Sequence, residues 1–293
     1  MIIKDMNRNT ITGFLFGILS SSTFGLIPLF TLPLIAEGLQ FPSILMYRFI
    51  FACLVLASLL LVKGVSLRLT RKEIRGLILL AVLYDISSLF LFWGFHLISS
   101  GVAVAIHFIY PVFTTLLMMI FFKEKKSFWR IFAILTAILG VALLSINGGD
   151  TQLSIWGIII VLISGFGYGA YLVALNQLNL KMNPLKLTFY VFLFGGLILF
   201  AGITSFSEIQ VIPSWRSFGF LSLLAIVPTI LSNLALIKAV KAIGSTITSV
   251  LGAMEPVTAL AIEMLFFGEV FTLQIGFGIA LILTGVMLII LKR

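Results

Sequence analysis

Residues 111–144 read PVFTTLLMMIFFKEKKSFWRIFAILTAILGVALL, and residues 256–289 read PVTALAIEMLFFGEVFTLQIGFGIALILTGVMLI. Written one above the other, the two stretches share an opening Pro-Val, a Phe-Phe pair, a Glu two residues after it and a late Gly-Val. The same shift of 145 residues holds without a gap from about residue 89 to 148. Because chance rarely aligns Pro, Glu and Gly in one register, we predict that the chain is internally duplicated.

The duplication reaches back to the first apolar run of each half. A shift of 144 residues pairs Gly13 with Gly157, Ser20 with Ser164 and Gly25 with Gly169. We therefore predict two repeats, residues 1–146 and 154–293, joined by a short external linker at 147–153.

Composition places both repeats in a membrane. Of the 293 residues, 61% are apolar and only 10% are charged, with a mean hydropathy of +1.23. A soluble protein has about 25% charged residues, so a soluble enzyme or a disulfide-rich secreted protein is excluded; one Cys, Cys53, also allows no internal bridge. The net charge of +9 is explained by loops that face anionic lipid, so no nucleic-acid partner is expected.

Ten apolar runs are long enough to cross a bilayer as helices, each needing about 20 residues. Strands are excluded because no run alternates with the period of two expected of a membrane barrel. The fold class is therefore all-α integral membrane. The predicted spans, numbered 1 to 10, are 12–34, 42–63, 74–97, 101–122, 127–146, 154–178, 184–206, 216–240, 244–267 and 272–291.

Loop charges orient these spans. Cytoplasmic loops collect Lys and Arg, and placing the N-terminus in the cytoplasm puts 17 of the 19 basic residues on that side. The exceptions are Arg216, outside, and Arg48, within span 2. Both termini are then cytoplasmic. Since each repeat has five spans, an odd number, the second enters from the opposite side, and inverted repeats are typical of transporters.

The quoted stretches resemble the end of an EamA domain, with Pro early in its fourth helix, Glu thirteen residues later and Gly near the end of its fifth. The similarity covers essentially the whole chain as two tandem domains of the drug/metabolite transporter superfamily. It implies a ten-helix carrier in the cell membrane, with a central cavity lined mainly by spans 1, 3, 4, 6, 8 and 9, and often export of amino acids or related metabolites.

Two carboxyls lie near mid-membrane, where a charge costs at least about 2.5–3.5 kcal/mol. Asp85 is central in span 3, and Glu255 is central in span 9. Both are candidates for binding a substrate ammonium group or for proton coupling; the alternative is a neutral acid hydrogen-bonded between helices. Their repeat equivalents are Ile230 and Tyr110, so the shared fold does not require either acid.

Other polar residues complete the candidate substrate or coupling site. His107 and Tyr110 share a face of span 4, and His107 could carry a proton or simply hydrogen-bond between helices. The further candidates are Tyr84, Tyr168 and Asn233.

Arg48 and Glu263 are candidate gate or vestibule residues. Arg48 is near enough to the outer end of span 2 to extend its charge to the surface; an anion contact or an ion pair with an acid such as Glu263 is the alternative. Four prolines that remove backbone hydrogen bonds within spans are candidate hinges: Pro28, Pro111, Pro228 and Pro256.

The sequence therefore predicts a secondary active transporter that exports or exchanges amino acids or related zwitterionic or cationic compounds by alternating access, with no cofactor or metal and no catalytic residues. Protons are a candidate coupling ion, and the oligomeric state is left open. Alternatives are an uptake carrier for organic amines, a passive channel, and an intramembrane aspartyl protease suggested by Tyr84-Asp85 but lacking a second Asp motif.

Overall fold

The computed structural model describes residues 8–123, 154–203, 208–252, 254–268 and 272–291, with scattered residues between 128 and 143. The ordered elements of this part of the chain are all helical. The α-helices are α1 Arg8–Phe24, α2 Ile27–Ala36, α3 Phe41–Val62, α4 Arg71–Gly94, α5 Ser100–His107, α6 Tyr110–Phe121, α7 Ile155–Leu178, α8 Pro184–Ile203, α9 Trp215–Leu224, α10 Ser232–Leu251, α11 Met254–Ile262 and α12 Leu273–Leu291; two π-helical segments are π1 Ala225–Leu231 and π2 Glu263–Phe267.

Seven helical segments of the described chain are long and apolar enough to cross a membrane. Six correspond to predicted spans 1–4, 6 and 7, and the seventh, Trp215–Ser249, runs from predicted span 8 into span 9 and is interrupted at Gly244, where φ is 81°. Most of span 5, the linker 147–153, and both Glu124 and Glu269 lie outside the described residues. Ten spans therefore remain a prediction.

Local signals explain where several helices begin. Thr70 caps α4 by accepting from the Glu73 backbone N–H, while the Glu73 carboxylate accepts from the Thr70 N–H, a capping box. Ser154 and Ser214 accept a backbone N–H in the same way at the starts of α7 and α9. These polar caps mark the ends of apolar runs, which is why hydropathy located the runs well.

Predicted spans 4 and 9 are each broken in the middle. The first break, at Phe108-Ile109, separates α5 from α6, and the second, at Gly252, separates α10 from α11. Pro111 and Pro256 each lie in the first turn after a break, where a missing N–H costs nothing. Pro111 and Pro256 are 145 residues apart, so the two breaks lie at equivalent places in the repeats.

The other two candidate hinges also lie at irregular backbone. Pro28 lies in the first turn of α2, directly after the helix is interrupted at Gly25-Leu26. Pro228 lies inside π1, where the wider turn accommodates a residue that cannot donate a backbone hydrogen bond.

Contacts between the repeats occur in equivalent pairs. A Cβ on Gly13 would lie 2.8 Å from Ala242 and Ile243, and a Cβ on its equivalent Gly157 would lie 3.1 Å and 2.8 Å from their equivalents, Leu97 and Ile98. A second pair joins equivalent positions with donor and acceptor exchanged: Ser232 Oγ donates to the Ser20 carbonyl at 2.9 Å, and Ser164 Oγ donates to the Ser87 carbonyl at 2.6 Å.

The third pair packs a glycine against each helix break. A Cβ on Gly25 would lie 2.5 Å from the Glu255 carbonyl oxygen, and one on Gly169 would lie 2.9 Å from the Tyr110 carbonyl oxygen. Glycine is required for so close an approach of two backbones. Each repeat therefore supports the broken helix of the other one.

The two ends of α3 are held by different connections. At its start, Tyr47 donates to the Gln210 carbonyl and Ser214 donates to Glu37. At its far end, Lys186 donates to the Arg68 carbonyl, and Tyr190 donates to the Leu67 carbonyl. Residues 37–40 and their repeat equivalents near 181–184 therefore lie at opposite ends of the helix bundle.

Candidate functional site

Three ionisable side chains are buried together with tyrosines inside the bundle. Arg48 and His107 are 0% exposed, and Glu255 is 1% exposed. They come from α3, from the end of α5 and from the start of α11, so two of the three lie at the helix breaks. Because a buried charge is costly without compensation, their surroundings indicate what the cluster can bind.

His107 connects Ser164 to Glu255. Ser164 Oγ lies 2.6 Å from the Ser87 carbonyl oxygen and 3.0 Å from His107 Nδ1. A hydroxyl has one proton to donate and a carbonyl can only accept, so Ser164 donates to Ser87 and accepts from Nδ1–H. His107 Nε2 is thereby directed at Glu255 Oε1, 3.8 Å away. At this distance the two side chains are neighbours without a direct hydrogen bond.

Aromatic rings surround this pair. The Tyr110 and Tyr168 rings meet edge to face at 4.7 Å, and each lies 5.5 Å from the His107 ring. The Tyr110 hydroxyl lies close to the Glu255 carboxyl. Phe24 stacks on Tyr168 at 5.6 Å. Such rings exclude water while offering hydroxyl groups and π faces to a bound cation.

The tyrosines continue towards Arg48. Tyr168 stacks on Tyr171 at 6.0 Å, and Tyr171 meets Tyr84 at 5.4 Å. The Tyr84 hydroxyl accepts from Arg48 Nη2 and from Asn233 Nδ2, both at 3.1 Å. A continuous row of rings therefore joins the carboxyl of Glu255 to the guanidinium of Arg48.

Arg48 has neutral partners only. Its Nε donates to Thr229 Oγ1 at 2.5 Å, its Nη2 donates to Tyr84, and its Nη1 is buried without a hydrogen-bond partner. Among the described residues no carboxylate lies within 4.0 Å of it. Phe92 lies under its face at 5.5 Å. The prediction that this side chain extends to the membrane surface is wrong, because it points into the packed interior.

The π-helical segment π1 explains how Thr229 reaches Arg48. Thr229 Oγ1 donates to the Leu224 carbonyl, five residues earlier, at 2.7 Å, a spacing that fits the wider π turn. With its proton used there, the hydroxyl oxygen is free to accept from Arg48. Pro228, directly before Thr229, helps to fix this irregular backbone.

Asp85 is separate from this cluster. It lies on α4, next to Tyr84, but its side chain packs towards Gly195 of α8, where a Cβ would lie 2.5 Å from Asp85 Oδ1. It lines an apolar cavity of about 610 Å³. The structure thus does not bring Asp85 together with Glu255 and His107, contrary to the expectation of one shared site, and no second Asp accompanies it among the residues that line the cavity.

Glu263 is also apart from Arg48. Its carboxyl is 1% exposed and contacts Gly101 in the first turn of α5. Backbone N–H groups in a first helical turn lack helical partners and attract a carboxylate. The predicted alternative, an ion pair between Arg48 and Glu263, is wrong.

Six of the seven predicted substrate or coupling residues form the central cluster, together with Arg48: they are Glu255, His107, Tyr110, Tyr168, Tyr84 and Asn233. Sequence reasoning did not assign Ser164 or Phe24 to it, although the match of Ser164 with Ser20 was a signal. In the described part of the chain, no three His, Cys, Asp or Glu residues are grouped to hold a metal ion.

Apolar helices of membrane-spanning length around a buried polar cluster are typical of a multi-pass membrane protein. The chain matches the EamA-like transporter family twice, over residues 11–146 and 155–291, and it belongs to this family, within the drug/metabolite transporter superfamily.

Curated relatives are named only as transporters. The uncharacterized inner membrane transporter YicL of Salmonella typhimurium is 26% identical over 83% of this chain and 83% of its own length. The uncharacterized transporter YdfC of Bacillus subtilis is 25% identical over 67% of this chain, and the match spans 64% of YdfC. A solved crystal structure superposes with a TM-score of 0.67 over 96% of this chain and 95% of its own, at 17% identity, which shows the fold alone.

Proposed function

We propose that the protein is a secondary active transporter that exports or exchanges a small zwitterionic metabolite, such as an amino acid, by alternating access. The observation that carries this proposal is a buried guanidinium and a buried carboxyl at the two ends of one tyrosine-lined cluster, without an ion pair between them. An amino acid carries the two complementary charges.

Each end of the cluster has one unused hydrogen-bonding atom. Within the described ranges of the chain, Arg48 Nη1 has no acceptor and Glu255 Oε1 has no donor. A substrate carboxylate at Arg48 would form a charge-assisted pair, and an ammonium group at Glu255 would form another. Buried charges are costly when unpaired, so both charges favour a zwitterion over a neutral metabolite.

The position of His107 beside Glu255 supports a proposal of proton coupling. An ammonium group arriving at Glu255 requires the ionised carboxylate, and His107 Nε2 offers a place for the displaced proton at 3.8 Å. Release of the substrate would let the proton return. Binding of substrate and binding of a proton at Glu255 then exclude one another, which is the basis of exchange.

Alternating access is supported by the relation between the repeats. Equivalent connections lie at opposite ends of α3, as two inverted five-helix units with cytoplasmic termini would require. Broken helices at the site are also typical of transporters. We propose that Pro28, Pro111, Pro228 and Pro256, which all lie at or beside irregular backbone, allow the hinge motion.

The test is a counterflow screen of amino acids with purified protein in liposomes. Saturation and trans-stimulation are expected, whereas a passive channel would show neither. Arg48→Gln and Glu255→Gln should each lower transport at least about tenfold, since a hydrogen bond to a charged group contributes roughly 1.5–3 kcal/mol. Arg216→Gln is the matched control, because that guanidinium is 72% exposed. Wild-type rates in both cluster variants would contradict the proposal.

Substrate analogues separate the zwitterion from a simple amine. The methyl ester of the transported amino acid lacks the carboxylate and should be moved poorly by the wild-type protein. Arg48→Gln should transport the ester and the acid equally. Esterification removes the carboxylate and the substitution removes the guanidinium, so both abolish the same interaction and their effects on transport should not add. Equal transport of ester and acid by the wild-type protein would instead favour a carrier for organic amines.

A further inference from the structure

A cavity outside the central cluster carries a second inference. It has a volume of about 610 Å³ and lies between the start of α3, the middle of α4 and the end of α8. Phe41, Phe90 and Trp93 supply aromatic walls, and Ile198 completes an aliphatic side. Its size falls within the range of about 300–1,000 Å³ that small-molecule sites occupy.

Asp85 is the one charged side chain among the described residues that line this cavity. It is 5% exposed, and neither of its buried carboxylate oxygens has a hydrogen-bond partner in the part of the chain that the structure describes. A buried polar group in a folded protein almost always has a partner. Asp85 packs against Gly195 and also borders the cavity, so a carboxyl without a hydrogen-bond partner among the described residues is available to a cationic ligand there.

The cavity and the central cluster lie on different faces of α4. Tyr84 bonds to Arg48 and Asn233, whereas the next residue, Asp85, borders the cavity beside α8. At the cavity mouth, Trp93 is 41% exposed and Ile198 is 39% exposed. Both belong to the apolar outer surface of the bundle, so the mouth opens where the protein meets lipid hydrocarbon.

We propose that this cavity is a second binding site, for hydrophobic organic amines that enter from the membrane. The ammonium group pairs with the Asp85 carboxylate, and the apolar body of the ligand fills the space between the aromatic walls. Aromatic faces also attract a cation within about 6 Å. A ligand without the amine gains only the apolar contacts, so the site discriminates by charge.

The experiment measures binding of naphthylmethylamine to the purified full chain in lipid nanodiscs, with naphthylmethanol as the neutral analogue of the same shape. Saturable binding of the amine is expected, at least tenfold tighter than that of the alcohol. Asp85→Asn keeps the shape of the side chain and should weaken amine binding at least tenfold while leaving alcohol binding unchanged. The unchanged alcohol binding shows that the variant is folded.

Two further variants distinguish this site from the central cluster. Ile198→Trp fills the mouth and should weaken the amine and the alcohol alike. Glu255→Gln should bind the amine as the wild-type protein does. The proposal is overturned if Asp85→Asn binds the amine normally, or if Glu255→Gln abolishes that binding. Since amino-acid counterflow is measured separately, failure here does not affect the proposed transport function.

Discussion

The two helix breaks share a backbone design but carry different chemistry. At the first break, the chain places His107 and Tyr110; at the repeat-equivalent positions of the second break, it places Gly252 and Glu255. The Tyr110 hydroxyl occupies the space that a side chain on Gly252 would need, and His107 faces Glu255. The first break therefore supplies the tyrosine ring and the imidazole, and the second supplies the space for the ring and the carboxyl that faces the imidazole.

This difference distinguishes the residues that form the backbone of both breaks from the residues that form the polar cluster. Proline after the break and a glycine packed against it occur in both repeats, so they serve the shared backbone. The acid, the imidazole and the gap at Gly252 occur once each. A symmetric frame thus holds an asymmetric polar cluster, and substitutions at equivalent positions can test the two contributions separately.

The largest effect is expected for Gly252→Ala. The new methyl group would occupy the position of the Tyr110 hydroxyl and would also lie 2.7 Å from the Ser249 carbonyl oxygen. Overpacking of this kind costs about 1–3 kcal/mol, and here we expect the upper end. Thermal unfolding of the purified protein should show it.

Two comparisons accompany that measurement. Adding Tyr110→Phe to Gly252→Ala should recover part of the lost stability, since it removes the clashing oxygen. Gly219→Ala should leave stability unchanged or slightly higher, because nothing lies within 4 Å of its new methyl group. A stable Gly252→Ala protein would show that the two breaks are not complementary.

Gly25→Ala and Gly169→Ala compare how tightly the backbone packs at the two helix breaks. The methyl groups would lie 2.5 Å and 2.9 Å from the carbonyl oxygens of Glu255 and Tyr110. Both should destabilise, by about 2 kcal/mol for Gly25→Ala and about 1 kcal/mol for Gly169→Ala. Denaturation in detergent measures this order, and the reverse order would mean that the second break is the more adaptable one.

Ser164→Ala and Ser20→Ala compare equivalent serines of which only one contacts the cluster. An interhelical hydrogen bond in a membrane protein contributes about 0.6 kcal/mol on average. Ser20→Ala should cost no more than that, because only the 3.3 Å contact of its hydroxyl with Ser232 Oγ is lost, and Ser164→Ala should cost more, because its hydroxyl bonds to both Ser87 and His107. Transport should fall several-fold only in Ser164→Ala, because His107 then loses the partner of Nδ1. Counterflow rates decide, and equal rates in the two variants would show that orientation of His107 is unimportant.

The smallest effect is expected at Glu37, outside the membrane-spanning segments. Hydrogen bonds from Ser217 and Ser214, with a further contribution from Arg216, lower the pKa of this carboxyl below its usual 4.5. A lowered pKa favours the folded protein above that value, and the contribution is lost as the pH falls through the folded-state pKa. The melting temperatures of the wild-type protein and Glu37→Gln should differ by on the order of 1 °C near neutral pH and converge in acid.

Much of the architecture follows from one-dimensional patterns. Apolar run length located the described membrane helices. The repeat register paired Ser20 with Ser164 and Gly25 with Gly169, and in the structure these residues make equivalent contacts between the repeats. Polar side chains within apolar spans are costly in a membrane, and this cost identified Glu255, His107 and the tyrosines as candidate site residues. These features depend on composition and spacing, which a sequence displays directly.

The direction in which a side chain points from its helix was harder to predict from the sequence. Tyr84 and Asp85 are adjacent, yet they face different surroundings, because that choice depends on which helices pack on each side of α4. Arg48 lies only six residues into its predicted span, but the side chain turns inwards to Thr229, whose position depends on the π turn at Pro228. Such contacts join residues 181 positions apart, and no local pattern reveals them.

The glycine contacts at the breaks have a consequence for biogenesis. Gly25 packs on Glu255, and Ser20 bonds with Ser232, so early segments find their partners more than 200 residues later in the chain. During synthesis, the first half is therefore inserted before its partner residues have been made. The tertiary structure can close only after residues 232–255 have also entered the membrane.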